Sequence, residues 1–286
     1  MSLLILGTVS NGWTDLLASS SLEAQCQRVL ELDFEYVELR QRAMGACEEP
    51  VAGDDRPWPL PERLAELTEA LPELGFNLAV EAPYLTAPLP PDDPYLQRCI
   101  DAAAALGGVP PVLRLVDLSP VSCLLEHEDA IAELGYGIAQ LAAAAWRRGV
   151  RLALENSKQP VSSLLAVVER AAAQLPEDVP APQLCWDAHN QISQTLLVED
   201  PVRVAGALPL ASLFEFHFKQ SRAGRLLGDV EDGEIDWRAI LSVLRARGYH
   251  GPALFELPPG PDIWQRLERS AAYIRDLLRE IDARPE

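Results

Sequence analysis

Positive charge is scarce in this sequence. Lys and Arg number 24 against 43 Asp and Glu, a net charge of −19. A protein that grips nucleic acid presents a basic face to the phosphates, and none is visible, so no nucleic-acid partner is expected. Cysteine is sparse as well: five residues, an odd number, with no CxxC pair. That argues against a disulfide framework or a thiolate zinc site and fits a reducing, cytoplasmic setting. The opening MSLLILGTVSNGW has no basic n-region, and its apolar run is too short for a secretion signal. No apolar run approaches the roughly 20 residues of a membrane span, so no membrane association is expected. GxSxG, P-loop and HExxH motifs are missing. So is the GxGxxG turn of a dinucleotide fold, since the first apolar run continues as LGTVSNGWT.

What is present is order of one kind. Hydrophobic residues make up 48% of 286, enough for a sizeable core. Eight short apolar runs read as strands: 3–7, 36–40, 78–82, 111–117, 150–156, 183–187, 212–219 and 252–257. Helical patterns lie between them, and a last one closes the chain. Asp236 stands where an N-cap belongs, and Gly248, Gly75 and Gly149 stand where helices should stop before strands. Strict alternation implies a parallel sheet, and eight such units in this length fit a closed (β/α)8 TIM barrel, one domain over residues 1–286. An open doubly wound sheet is the runner-up. Pro-rich stretches at 50–61 and 83–94 read as long loops after the second and third strands, where lids and pocket walls are built.

Side chains alternate across a strand with period two. In RLALE, LCWD, FEFHFK and ALFE the bulky apolar set takes one face, which belongs against the helices. Glu155, Asp187, His217 and Glu256 then point into the barrel at the C-terminal ends of four consecutive strands, where barrel enzymes place their sites. Three converging carboxylates repel one another unless a cation sits among them. The oxygen-rich set with one imidazole suits one divalent ion: Mn²⁺, Mg²⁺, Co²⁺ or Fe²⁺, with Zn²⁺ also open. The competing account is a buried charge network or a polar barrel rim. Lys219, one step beyond His217 on the same face, is a candidate for holding a substrate oxyanion or phosphate, or else a solvated strand tip. Glu38, Arg40, Glu81 and Arg114 also face inward by parity, as polar core or pocket lining. Trp13 follows the first strand and is expected as an apolar pocket wall. Cys185 lies too deep for a nucleophile. His250 precedes the last strand, at the stability end of the barrel, and His127 receives no role.

Several segments together resemble the xylose isomerase-like TIM-barrel superfamily, the sugar phosphate isomerases and epimerases related to AP endonuclease family 2. They are VEL (37–39), APY (82–84), LALEN (152–156), CWDAHN (185–190), FHFKQSR (216–222), GDVEDGEIDW (228–237) and GPALFE (251–256). The resemblance implies that Glu155, Asp187, His217 and Glu256 bind one divalent metal, and that Glu155 and Glu256 transfer protons on opposite sides of a bound sugar. Asn190 fills the place where relatives often carry a His, so it is expected to touch substrate, with Arg222 of the same motifs a further contact. Gln220 replaces a common Asp. The His ligands of the three-zinc endonuclease branch are absent from VEAPY and LRLVDLS. The implied activity is a metal-dependent isomerase or epimerase of a sugar, sugar phosphate or polyol in carbohydrate metabolism, working through an enediolate. A dehydratase of the inosose or dehydroshikimate type, or a barrel that has lost activity and only binds, are the alternatives. The expected partner is a small carbohydrate or polyol, and a homo-oligomer is compatible with the sequence.

Overall fold

The computed structural model describes residues 4–84, 89–108, 110–118, 128–157, 159–193 and 198–283. His127, Cys123 and residues 85–88 of the second Pro-rich loop lie outside them. Eight parallel strands close a barrel. In chain order they are β1 (Ile5–Val9), β2 (Tyr36–Arg40), β3 (Gly75–Glu81), β4 (Val112–Val116), β5 (Arg151–Glu155), β6 (Gln183–Asp187), β7 (Leu213–Phe218) and β8 (Pro252–Phe255). Each strand pairs with its sequence neighbours, and β8 closes on β1. The helices are α1 (Leu22–Glu31), α2 (Pro61–Ala70), α3 (Pro94–Ala105), α4 (Glu128–Trp146), α5 (Val161–Ala172), α6 (Ala188–Ser193), α7 (Pro201–Ala207), α8 (Trp237–Ala246) and α9 (Ile263–Asp282). The barrel expected from strand–helix alternation is the one formed, and the open sheet is not.

Local chemistry sets the ends of these elements. Asp236 caps α8 by accepting from the Ala239 amide at 2.9 Å, and Ser21 and Asp93 cap α1 and α3 in the same manner. Gly149 takes φ +75 and Gly248 φ +80 just past their helices, a left-handed turn that glycine makes at little cost. Gly75 behaves differently from that expectation. It opens β3 with ordinary backbone, and its lack of a side chain lets the Tyr36 ring pack where a Cβ would sit, 2.5 Å away. The first strand also begins two residues later than its apolar run suggests. Thr8 and Val9 belong to it, because the Thr8 hydroxyl donates to the Phe255 carbonyl at 3.0 Å and both residues are buried.

The apolar core lies between strands and helices. Trp186, Phe216, Phe218, Phe255, Phe34 and Trp237 are fully buried there and pack ring on ring, with Phe218 and Phe255 centroids 4.8 Å apart. Inside the barrel, packing near β1 is tight. A Cβ on Gly7 would stand 2.2 Å from the Tyr36 carbonyl oxygen and 2.8 Å from Leu254, and backbone of the neighbouring strand cannot yield. Gly7→Ala is therefore expected to destabilise the fold by about 2 kcal/mol or more, read as a lower urea midpoint; an unchanged midpoint contradicts this packing.

Candidate metal centre

Strand parity places the key side chains. Register aligns Asp187 with His217 across β6 and β7, and Leu254 of β8 with His217, so Glu256, two residues on, falls beside Lys219 at the C-terminal end. Glu155, Asp187, His217 and Glu256 do converge: one ligand atom from each lies within 4.8 Å of every other. His217 Nδ1 is 2.8 Å from Glu256 Oε2 and 3.9 Å from Asp187 Oδ2. Glu155, Asp187 and His217 are buried, and the Glu256 side chain is 11% exposed.

The cluster is held from outside itself. Asn190, in the first turn of α6, donates through Nδ2 to Glu155 Oε1 and through its amide to Asp187 Oδ1, both at 2.9 Å. Asn156 ties the end of β5 to that of β6, donating to the Asp187 carbonyl and accepting from the Asp187 amide. Asn11, after β1, donates to Glu256 Oε1 at 3.0 Å. Tyr84 donates to the Glu155 carbonyl at 2.7 Å.

Lys219 is the cation beside Asp187 and Glu256. Its ammonium lies 2.6 Å from Asp187 Oδ2 and 2.7 Å from Glu256 Oε2. Both oxygens are thereby engaged by a buried charged partner, and His217 Nδ1 is a second one for Glu256 Oε2. Burial pushes the Asp187 carboxyl up, but Lys219 and His217 outweigh that and hold it at about 2. Glu256 is likewise held well below the usual carboxylate range, with Lys219 and His217 overcoming burial. Burial alone would strip the proton from His217; Cys185, Glu256 and Asp187 reverse this and raise its pKa.

Beneath the cluster lies a sealed polar layer. Arg114 of β4 donates from Nε and Nη2 to Glu38 Oε2 and Oε1 at 2.7 and 2.5 Å, and from Nη1 to Glu155 Oε2. Asn77 donates to Glu38 and Glu215. Burial and the adjacent Glu38 raise the Glu215 carboxyl well above its ordinary value, so it stays neutral beside an ionised Glu38. Cys185, Glu215 and His217 also sit within ligand distance of one another, but Arg114 already supplies a cation 3.8 Å from Glu215.

The remaining sequence candidates divide. Glu81, at the end of β3, is partly exposed and pairs with Arg40 at 3.0 Å and Arg42 at 3.8 Å. Trp13 is no pocket wall: it is fully buried and stacks on Trp264, centroids 5.3 Å apart. Arg222 turns outward, 61% exposed, onto Glu231 and the Asp232 carbonyl. Its strand has given way to a short ribbon (221–222 with 225–226) that redirects the chain. Gln220 is a loop brace, bound to Glu231 and Ile235. His189 is buried in α6, its Nδ1 without a hydrogen-bond partner and its pKa lowered by burial. His250 is exposed before β8, at the far end. Cys185 is inert by burial, which raises its thiol well above normal. Of the loop after β2, Asp54 and Trp58 form a clamp with Arg56, whose guanidinium lies 4.0 Å above the Tyr95 ring. Asn11, Tyr84 and Asn156 had no role assigned from the sequence; Tyr84, inside APY, and Asn156, inside LALEN, carried a signal, and Asn11 carried none.

The chain matches the xylose isomerase-like TIM barrel family over residues 26–277 and belongs to it. No curated protein matches it by sequence. Among solved structures it is similar to L-ribulose 3-epimerase (18% identity, TM-score 0.65, covering 97% of this chain and 94% of that one). It is also similar to a xylose isomerase-like TIM barrel protein from Mycobacterium smegmatis in complex with magnesium (16%, TM-score 0.65, 99% and 100%). A xylose isomerase-like TIM barrel/4-hydroxyphenylpyruvate dioxygenase fusion protein matches at 16% identity and TM-score 0.67; the match covers 99% of this chain, which spans only 45% of that longer one.

Two outcomes follow from the charges around Lys219. Lys219→Met leaves two buried carboxylates without their cation, so in chelator it should lower stability by about 3 kcal/mol, measured by thermal or urea unfolding; equal stability contradicts the pairing. Asp187 titrates at about 2 when folded and near ~3.9 when unfolded. Its contribution is therefore complete above about pH 4 and lost as pH falls from there towards 2. Asp187→Asn should show a shallower stability loss across that window than the wild type.

Proposed function

We propose that the chain is a divalent-metal-dependent isomerase or epimerase of a sugar, sugar phosphate or polyol. The observation that carries this reading is the convergence of Glu155, Asp187, His217 and Glu256 at the C-terminal ends of four consecutive strands, in a member of this family. The set fits a divalent cation. It offers three carboxylates and an imidazole whose ligand atoms all lie within 4.8 Å of one another. Its hardness favours Mn²⁺, Mg²⁺ or Co²⁺, with Zn²⁺ also accommodated. Bound there, such an ion supplies Lewis-acid polarisation of neighbouring substrate oxygens.

The chain's own groups would do the rest. One of Glu155 and Glu256 takes the proton from the carbon beside the carbonyl, and the other returns it, through an enediolate. The Lys219 ammonium faces the developing oxyanion. Asn190 holds Glu155 in place, since both its side-chain nitrogen and its amide are committed to the ligand carboxylates. Glu81 lines the mouth on the β3 side, where substrate hydroxyls would reach it.

A screen of ketoses, their phosphates and inososes in deuterated water with added Mn²⁺ tests the reading. Deuterium should enter at the carbon beside the carbonyl with the rest of the molecule retained. Chelation should abolish turnover and Mn²⁺ restore it. Glu155→Gln and Glu256→Gln should each lower the rate by about 10²–10⁴. A product lighter by one water identifies a dehydratase instead, and full turnover by metal-stripped protein overturns the mechanism.

A further inference from the structure

We propose that Glu38, gripped by Arg114, is a positioning residue for the metal centre: when an ion takes Nδ1 of His217 in place of the proton that Asp187 and Glu256 favour there, Glu38 holds the remaining ring hydrogen on Nε2. The inference rests on the metal centre proposed above. The two ring nitrogens have different surroundings. Nδ1 lies within the ligand cluster, 2.8 Å from Glu256 Oε2 and 3.9 Å from Asp187 Oδ2. Nε2 faces the sealed interior, with Cys185 Sγ at 3.3 Å and Glu38 Oε1 at 3.4 Å. A neutral imidazole has one donor and one acceptor nitrogen, and a metal takes the acceptor.

Of the two neighbours of Nε2, only Glu38 can choose. A thiol both donates and accepts, so Cys185 suits either tautomer. An ionised carboxylate only accepts. A lone pair on Nε2 would face its negative charge, while a hydrogen there is attracted to it. Glu38 cannot swing aside. Arg114 binds both of its oxygens, Asn77 donates to Oε2 at 2.9 Å, and the side chain is fully buried. The same guanidinium turns Nη1 onto Glu155 Oε2. One buried unit therefore braces two of the four ligands, on β5 and β7, from below. Such outer partners of a ligating histidine fix its tautomer and typically carry 10–100-fold in metal affinity.

The test uses the full-length chain, stripped with chelator and titrated with Co²⁺, followed by calorimetry and the cobalt absorption spectrum. In Glu38→Gln the amide nitrogen meets two donors if it replaces Oε2, from Arg114 and Asn77, but one if it replaces Oε1. There it presents N–H to Nε2 and drives the ring hydrogen to Nδ1. Glu38→Gln should therefore bind Co²⁺ about 10–100-fold more weakly with an altered spectrum, while Cys185→Ala binds as the wild type does. Unfolding in chelator separates a merely structural role, which would lower the melting temperature and leave affinity alone. A second measurement needs no variant. In wild type loaded with Zn²⁺, ¹⁵N NMR of the His217 ring should show a hydrogen-bearing Nε2 and a metal-bound Nδ1. Metal on Nε2, unchanged affinity in Glu38→Gln, or an equal loss in Cys185→Ala overturns the positioning role. A wild type that binds no divalent ion overturns the metal centre itself, and this role with it.

Discussion

The rest of the molecule is arranged around the burial of carboxyl groups inside a closed barrel. Glu38, Glu155, Asp187, Glu215 and Glu256 all point into one narrow interior. Burying an unpaired charge costs several kcal/mol, so each must be met by a cation, a proton or a donor. The structure answers in two tiers. In the lower, Arg114 binds Glu38 and Glu155, and Glu215 keeps its proton beside Glu38. In the upper, Lys219 and His217 stand among Asp187 and Glu256. His217 belongs to both tiers, one ring nitrogen in each.

This division explains why the upper tier is suited to bind rather than merely to fold. The lower tier is sealed: Arg114 and Asn77 donate to Glu38, and all three side chains are fully buried. The upper tier brings three carboxylates and an imidazole to one point and lies at the end of the barrel where loops, not strands, continue the chain. Rigid strands fix the positions of the ligands, and the asparagines at 11, 156 and 190 fix their orientation. A cation placed there gains from electrostatics that the fold has already built.

Much of this was legible in the sequence, and the reason is geometric. Period-two alternation in RLALE, LCWD, FEFHFK and ALFE assigns each side chain to a face without reference to the rest of the fold, so the four converging residues could be picked out from strands far apart. Parity also turned Glu38 and Arg114 inward and left open whether they pair with one another or line the pocket; barrel shear decides that they pair. Residues beyond the strands escaped. Trp13 and Arg222 follow strand ends, where a turn into a 3₁₀ segment or a short ribbon re-aims the side chain. The bonds of Asn190 to Glu155 and Asp187 follow from α6 beginning directly at Ala188, which strand parity does not show. Gly75 shows the same limit, since its role depends on the neighbouring Tyr36 ring rather than on any local signal.

Metal stoichiometry tests the central claim most directly. Equilibrium dialysis of the metal-stripped chain against Mn²⁺, with elemental analysis of the retentate, should find one ion per chain in the wild type and close to none in His217→Ala that remains folded by circular dichroism. A wild type that retains no Mn²⁺, Mg²⁺, Co²⁺ or Zn²⁺ at millimolar concentration, or a His217→Ala chain that retains as much as the wild type, would contradict it.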